Sequence, residues 1–281
     1  MRPHAILHAL ALALALSGPA AAQAGPEAPR IVSTVKDLRF VPLADLPRAP
    51  ARPRRSPEES CSGWAETPRS EATRAVAARG WTVTGEVPLG RYRAISFAST
   101  LETGTSGTCY VADGNVGVFD GGRLVALAYG AVPNKIGRVV TRTGGGVRLH
   151  DGDALASPIG DLNLRPDGTL ALEPLAKVES VCGGRGSVPN IRGLPIDKAR
   201  AALIAAGWAP VSSEPSQGAE DVRVGREEDL ARRGLIEVDG CAGTGLGYCS
   251  FKYSGPAGTL SVTTVGDAYM PEVDDYDVEC R

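Results

Sequence analysis

Apolar and polar positions along the chain change period several times, and each change marks an element. In "SEATRAVAARGW", residues 70–81, Ala72, Ala75 and Val76 recur at helical spacing behind Ser70 as an N-cap, and Gly80 stops the run. Short runs that alternate every second residue follow: "WTVTGEV", "RYRAISFAST", "TCYVADG", "NVGVF" and "RLVALAY". Glycine-bearing turns such as "FDGGR" separate several of them, the signature of antiparallel strands. "GRVVTRT", "GVRLHDGDAL" and "LNLRPDGTLAL" continue the pattern, and "RPDG" supplies a tight hairpin turn. Residues 61–178 therefore read as a β-rich domain with one helix near its start.

A helical period returns over residues 195–206. Ile196, Ala199, Ala202, Leu203 and Ala206 share one face, while Asp197, Lys198 and Arg200 lie on the more exposed side. Pro195 suits the first turn, Asp197 sits near the positive end of the helix dipole, and Gly207 ends the helix before Trp208 and a strand "APV". A second short helix, "REEDLARRG", precedes three strand candidates, "LIEVDGC", "YCSFKYS" and "TLSVTTV". Residues 181–281 read as a second α+β domain.

The two stretches echo one another. Counted back from Gly80-Trp81 and Gly207-Trp208, Pro68 matches Pro195, Ala72 matches Ala199, Ala75 matches Ala202 and Val76 matches Leu203. Each helix has a cysteine upstream and a cysteine beside an aromatic downstream, Cys109-Tyr110 and Tyr248-Cys249. The fold class expected is α+β, mostly β, with two related units, each a short helix on a small antiparallel sheet.

The flanks set the compartment. "MRPHAILHALALALALSGPAAAQA" has a basic start at Arg2, an apolar run over residues 5–16 and a small-x-small site at Ala22-Gln23-Ala24, the three parts of a secretory signal over residues 1–24. The run is shorter than the roughly 20 apolar residues a membrane span needs. A periplasmic or secreted protein follows, without a membrane span. Residues 25–60 interleave proline with Arg48, Arg52, Arg54 and Arg55 and read as a Pro/Arg-rich linker, although "RIVSTVKDLRFVPL" alternates like a strand that docks on the next domain.

In an oxidising compartment the six cysteines imply three disulfides. Sequence alone leaves the pairing open. The echo favours Cys61–Cys109 in the first unit, with Cys241–Cys249 stapling "AGTGLGY" and Cys182–Cys280 tying the second unit end to end. No cysteine pair has the close spacing of a zinc site. The net charge of −2 gives no bulk attraction for nucleic acid.

"VPNIRGLPIDKARAALIAAGWAPV", residues 188–211, resembles the first half of a PASTA repeat through Val188, Pro189, Asn190, Gly193, Ala199, Leu203 and Gly207. PASTA repeats occur outside the membrane on bacterial penicillin-binding proteins and serine/threonine kinases, and the resemblance implies binding of cell-wall fragments. It covers about 24 of 281 residues. Beyond Trp208 the chain departs from the family: a polar stretch "SSEPSQGAEDVRVGREED", a further helix and paired cysteines follow. "GCAGTGLGYCSFKY" is similar to segments of exported bacterial proteins.

Catalytic chemistry is sparse. His150 is the one histidine beyond the signal, and "RLHDGD" places it at a turn beside Asp151 and Asp153, where a solvated ring is expected. Ser187 in "GRGSV" lacks the strand–turn–helix setting of a nucleophile. Glu71, Glu86, Asp113 and Asp120 offer carboxylates without a pattern that pairs them. Trp81 and Trp208 are expected to pack over their helices. The tail "PEVDDYDVEC" gathers Glu272, Asp274, Asp275, Asp277 and Glu279 as a solvated acidic edge, without the spacing of a calcium loop.

These readings converge on an exported, non-enzymatic binding protein without a cofactor or metal. Its partner would be a peptidoglycan fragment held near Asn190, Arg192 and Lys198. The alternative is a disulfide-braced inhibitor of a secreted hydrolase, a lysozyme or a protease, presenting "CAGTGLGYC" through Leu246 and Tyr248.

Overall fold

A computed structural model describes residues 28–51, 59–104, 108–130, 136–142, 145–153, 156–212, 225–242 and 245–281. The signal segment, Arg52, Arg54, Arg55 and most of the polar stretch after Trp208 lie outside the described residues.

The chain opens with β1 (Ile31–Ser33) and β2 (Leu38–Pro42), then a 3-10 turn (Glu59–Trp64) and α1 (Glu71–Ala78). There follow β3 (Thr82–Leu89), β4 (Tyr92–Ala98), β5 (Thr100–Thr103), β6 (Cys109–Ala112), β7 (Asn115–Asp120), β8 (Arg123–Gly130), β9 (Arg138–Thr141), β10 (Val147–His150), β11 (Pro158–Leu164) and β12 (Leu170–Glu173). They form two five-stranded sheets, β2-β8-β7-β4-β3 and β1-β12-β11-β10-β9, and a separate β5–β6 hairpin. The pairings are antiparallel apart from β1 with β12. The alternation read from the sequence segment 30–43 thus becomes an edge strand in each sheet, so the first half of the expected linker is structure.

Alternation within the strands separates two cores. Val87, Ala94, Val116 and Val118 face the second sheet and meet Val139, Leu149, Leu162 and Leu172. Val83, Ile95, Phe97 and Phe119 face the other way, onto Ala72 and Val76 of α1. The helix begins where expected: the Ser70 hydroxyl accepts from the Thr73 N–H (3.1 Å) and the Thr73 hydroxyl accepts from the Ser70 N–H (3.0 Å). Gly80 at φ 87° ends it, a left-handed position that costs glycine least. The sheets meet at a buried polar corner, where Thr84 donates to the Gly137 carbonyl (2.8 Å) and Val139 N–H donates to Ser96 (3.1 Å).

The C-terminal part has a β13 (Val178–Val181) and β14 (Gly186–Pro189) hairpin, α2 (Ile196–Ala205), β15 (Ala209–Pro210), α3 (Arg226–Arg232), β16 (Val238–Cys241), β17 (Cys249–Gly255), β18 (Gly258–Val265) and β19 (Glu272–Cys280). Its sheet runs β15-β17-β18-β19, with β16 on the same edge of β17 as β15. Ile196, Ala199 and Leu203 of α2 and Leu230 of α3 cover one face, against Phe251, Tyr253, Leu260 and Val262. Fully buried Glu237 pins the helix to the sheet, accepting from Arg200 Nε and from the Tyr253 hydroxyl, each at 2.9 Å. The acidic tail forms the edge strand of this sheet, with Glu272, Asp277 and Glu279 exposed along it. It is β19, paired along its length with β18.

Three disulfides close the structure: Cys61–Cys109, Cys182–Cys280 and Cys241–Cys249, the same three pairs that the echo favours. Among the described residues no helix is long and apolar enough to cross a membrane.

Candidate functional site

The densest chemistry lies where β10 and β11 meet β13 and β19. On β10, Val147 and Leu149 point into the sandwich, so Arg148 and His150 fall on the opposite face. That face is covered by the C-terminal part, and both residues are buried. His150 is therefore not the solvated turn residue expected: it is the last residue of a strand, and its Nδ1–H donates to the Ala156 carbonyl at 2.8 Å.

Arg148 grips two carboxylates. Its Nε and Nη2 donate to Asp161 (2.9 and 3.1 Å), its cross-strand partner on β11, and its Nη2 and Nη1 donate to Glu179 of β13 (2.7 and 3.3 Å). Both contacts have the fork geometry that makes arginine–carboxylate pairs strong. Glu179 also lies 3.4 Å from Arg192, which donates to Asp275 of β19 at 2.6 and 2.9 Å and stacks 4.0 Å over the Tyr276 ring. At the other end Arg142 donates to Asp161 at 3.1 Å. The run Arg142–Asp161–Arg148–Glu179–Arg192–Asp275 alternates in sign and ties residues far apart in the chain. Its middle is dry, with side-chain exposures of 7% for Arg148, 2% for Asp161, 6% for Glu179 and 10% for Arg192.

The titration behaviour follows from this burial. Desolvation pulls Arg148 down, but hydrogen bonds to Asp161 and Glu179 outweigh it and hold the guanidinium protonated. Burial lowers His150, opposed by the Ala156 carbonyl and by Asp275, and helped by Arg138 and Arg148. The Tyr276 phenol is pushed up to about 12, chiefly by burial. Burial and then Asp275 raise Asp274, against Arg192. The arrangement is suited to rigid docking and to presenting fixed charge.

Part of it opens to the surface. Arg142 and Glu179 line a cleft of about 400 Å³ with Ala176, Val178, Ser180, Gly183 and Gly184. Val178 is exposed there while Glu179 points inward.

The sequence-derived site residues divide. Asn190 accepts the Arg192 N–H (3.3 Å), and the Arg192 side chain is consumed by Glu179 of β13 and Asp275 of β19. Lys198 stands apart on the solvent side of α2, 3.7 Å from Asp197. Leu246 is 45% exposed, its carbonyl accepting from Gly266 N–H (2.9 Å). Tyr248 is half-buried, and burial and then Asp274 raise its phenol. Of the acids weighed for glycoside chemistry, Glu86 pairs with Arg93 (2.9 Å) and Asp113 accepts from Ser99 (2.9 Å), while Glu71 is the first residue of α1 and Asp120 ends β7. They are spread over β3, the β6–β7 turn, α1 and β7. Ser187 gives its carbonyl to Trp208 Nε1 (2.9 Å). Among the described residues no cluster of three or more His, Cys, Asp or Glu could hold a metal.

Sequence reasoning missed Arg148, Asp161 and Glu179. The available signal was a charge inside each strand pattern, in "GVRLH", "PIGDLNL" and "KVESVC". Comparison with protein-family models, with curated proteins and with solved structures found no match.

Proposed function

We propose that this is an exported, non-enzymatic binding protein of the periplasm or cell envelope that takes a small charged fragment, peptidoglycan-derived by the PASTA resemblance. The observation that carries this reading is the cleft of about 400 Å³ at Arg142, which sets one partly exposed cation beside the exposed apolar lip of Val178. Wall peptides carry carboxylates, which match that cation in sign. The residues behind the cleft are locked in ion pairs, which keeps its charges in place before binding.

We also infer that the chain is built of two units on one plan. In each, a helix ends at a glycine–tryptophan pair and leads into four antiparallel strands side by side, β3-β4-β7-β8 after α1 and β15-β17-β18-β19 after α2. In each, the tryptophan indole donates to a carbonyl upstream of its helix, Trp81 to Pro47 (2.8 Å) and Trp208 to Ser187 (2.9 Å). The cysteines do not follow the plan, since Cys109 lies in the inserted β5–β6 hairpin and Cys249 in β17.

The test is co-sedimentation of the oxidised chain, residues 25–281, with insoluble peptidoglycan at low and high salt. Saturable pelleting that Arg142→Gln weakens and Lys198→Gln leaves unchanged is the expected result. Protein that stays in the supernatant at every salt concentration sinks the reading.

A second reading, an inhibitor of a secreted hydrolase, has an observation of its own. The Cys241–Cys249 bridge and the Ala242 N–H to Tyr248 carbonyl bond (2.7 Å) close the base of a loop that offers exposed Leu246. Nearby, Tyr269 is 69% exposed and rests on the Arg233 guanidinium at 3.9 Å. A pinned loop with aliphatic and aromatic anchors is what a protein interface uses. Leu246→Ala with Tyr248→Ala abolishes inhibition of a lysozyme or protease under this reading and leaves wall binding intact.

A further inference from the structure

A second cleft, of about 500 Å³, lies in the N-terminal part, away from the charge network. Three separate chain segments build it. The entry to β1 brings Pro29 and Arg30, the β3–β4 turn brings Arg91 and Tyr92, and the β11–β12 turn brings Leu164, Arg165 and Asp167. The turns interlock closely, because a side chain at Gly90 would strike Leu164 at 2.5 Å.

Its charge is one-sided. Three arginines and one aspartate line it, and that carboxylate is occupied: Asp167 accepts the Thr169 N–H at 3.0 Å, a bond that, with the Thr169 hydroxyl, holds it below the usual range. Arg165 is anchored on Glu173 at 2.5 Å. Arg91 is steered by its neighbour, donating to the Tyr92 hydroxyl at 2.5 Å with its guanidinium 4.7 Å over that ring. Among the described residues neither Arg30 nor Arg91 has a carboxylate within ion-pair distance. The walls are Leu164 and two prolines, Pro29 and Pro166, which resist rearrangement.

We propose that this cleft is an anion-binding site for a small molecule that carries a carboxylate or phosphate on a sugar-sized body. Arg30 and Arg91 hold the anionic group through their forks, and Leu164 and the prolines take the less polar face of the ring. A cleft of this volume accommodates one such ring with room for water. The site does not depend on the wall-fragment reading above, because it shares no residue with the Arg142–Glu179 cleft.

The experiment titrates the oxidised chain, residues 25–281, with glucuronate, with glucose 6-phosphate and with uncharged glucose, followed by backbone amide NMR. The expected result is saturable shifts at Arg91, Gly168 and Thr169 with one or both anions, at a Kd on the order of 1 mM, and none with glucose. Preference for glucuronate assigns a carboxylate ligand, and preference for glucose 6-phosphate assigns a phosphate ligand. Arg30→Gln with Arg91→Gln weakens binding by about tenfold or more, whereas Arg79→Gln at the end of α1 does not. Should the double variant lose its cooperative melt, Arg91→Lys serves instead: it keeps the charge, removes the fork and still weakens binding several-fold. Equal shifts with glucose, no shift with either anion, or unchanged binding in folded variants each overturns the proposal.

Discussion

Val147, Arg148, Leu149 and His150 alternate along one four-residue strand, and all four are buried. Two of them are apolar and meet the sandwich core. The other two are polar and meet a second body of protein, so each needs a partner. Arg148 finds Glu179 there and Asp161 on its own sheet, and His150 finds the Ala156 carbonyl of the loop that follows its strand. Because the histidine is held mainly by burial, its proton affinity in the folded chain lies below its ordinary value of 6.5. As pH falls through that value the unfolded chain takes up a proton that the folded chain refuses, so stability is full above it and declines below it. Asp274 has the opposite sign, since its carboxyl is raised in the fold, but its ordinary value of 3.8 puts its effect at lower pH. Melting temperature followed from pH 7.5 to 5.5, roughly one unit either side of the histidine range, should therefore fall on acidification. His150→Gln should flatten that slope, and an unchanged slope in the variant would show that another group titrates.

At the scale of elements, α2 shows how a face is chosen. Leu203 is fully buried against β17 and β18, and Ile204, its neighbour in sequence, is 45% exposed. Leu203→Ala should cost about 2–5 kcal/mol in chemical denaturation, with a cavity left under the helix. Ile204→Ala should stay within about 0.5 kcal/mol. Similar losses at both positions would mean that the helix is not docked as described. Helices α1 and α2 were legible in the sequence because their signals are local: Ser70 or Pro195 at the start, Gly80 or Gly207 at the end, and an apolar stripe between. The strand β19 was not legible. A bulge between Thr263 and Thr264 in its pairing leaves Asp274 unpaired and moves the buried set from Val273 to Tyr276 and Val278, so the two-residue period breaks where it would be read. β13 is masked differently. Val178 points out and Glu179 points in, the reverse of the usual pattern, because Glu179 has two arginines to meet. The candidate site shared that fate: Arg192 and Asp275 were noticed, but the residues that complete the run reveal themselves only when two distant strands are brought together.

For the molecule as a whole, the network decides whether the N-terminal sandwich and the C-terminal sheet respond as one body. Cys61–Cys109 stays within the first part, and Cys182–Cys280 and Cys241–Cys249 stay within the second, so no disulfide bridges them. The Arg148–Glu179 pair does, at 2.7 Å, and Arg192 holds the same Glu179 from within the second part at 3.4 Å. Glu179 sits on β13, close after the last strand of the sandwich, and its two arginines approach from opposite sides of that connection. Buried ion pairs add little over a well-packed apolar contact, but breaking one strands the remaining charge and costs about 3–5 kcal/mol. Arg148→Met removes the shared cation and leaves Asp161 with Arg142 and Glu179 with Arg192. Calorimetry of the oxidised wild-type chain should show one cooperative transition. The variant should melt lower and separate into two, the sandwich apart from the C-terminal sheet. Added salt should change the wild-type profile little, since pairs this dry are poorly screened. A variant that still melts in one step, merely at lower temperature, would move the coupling from the ion pairs to the apolar contacts around them.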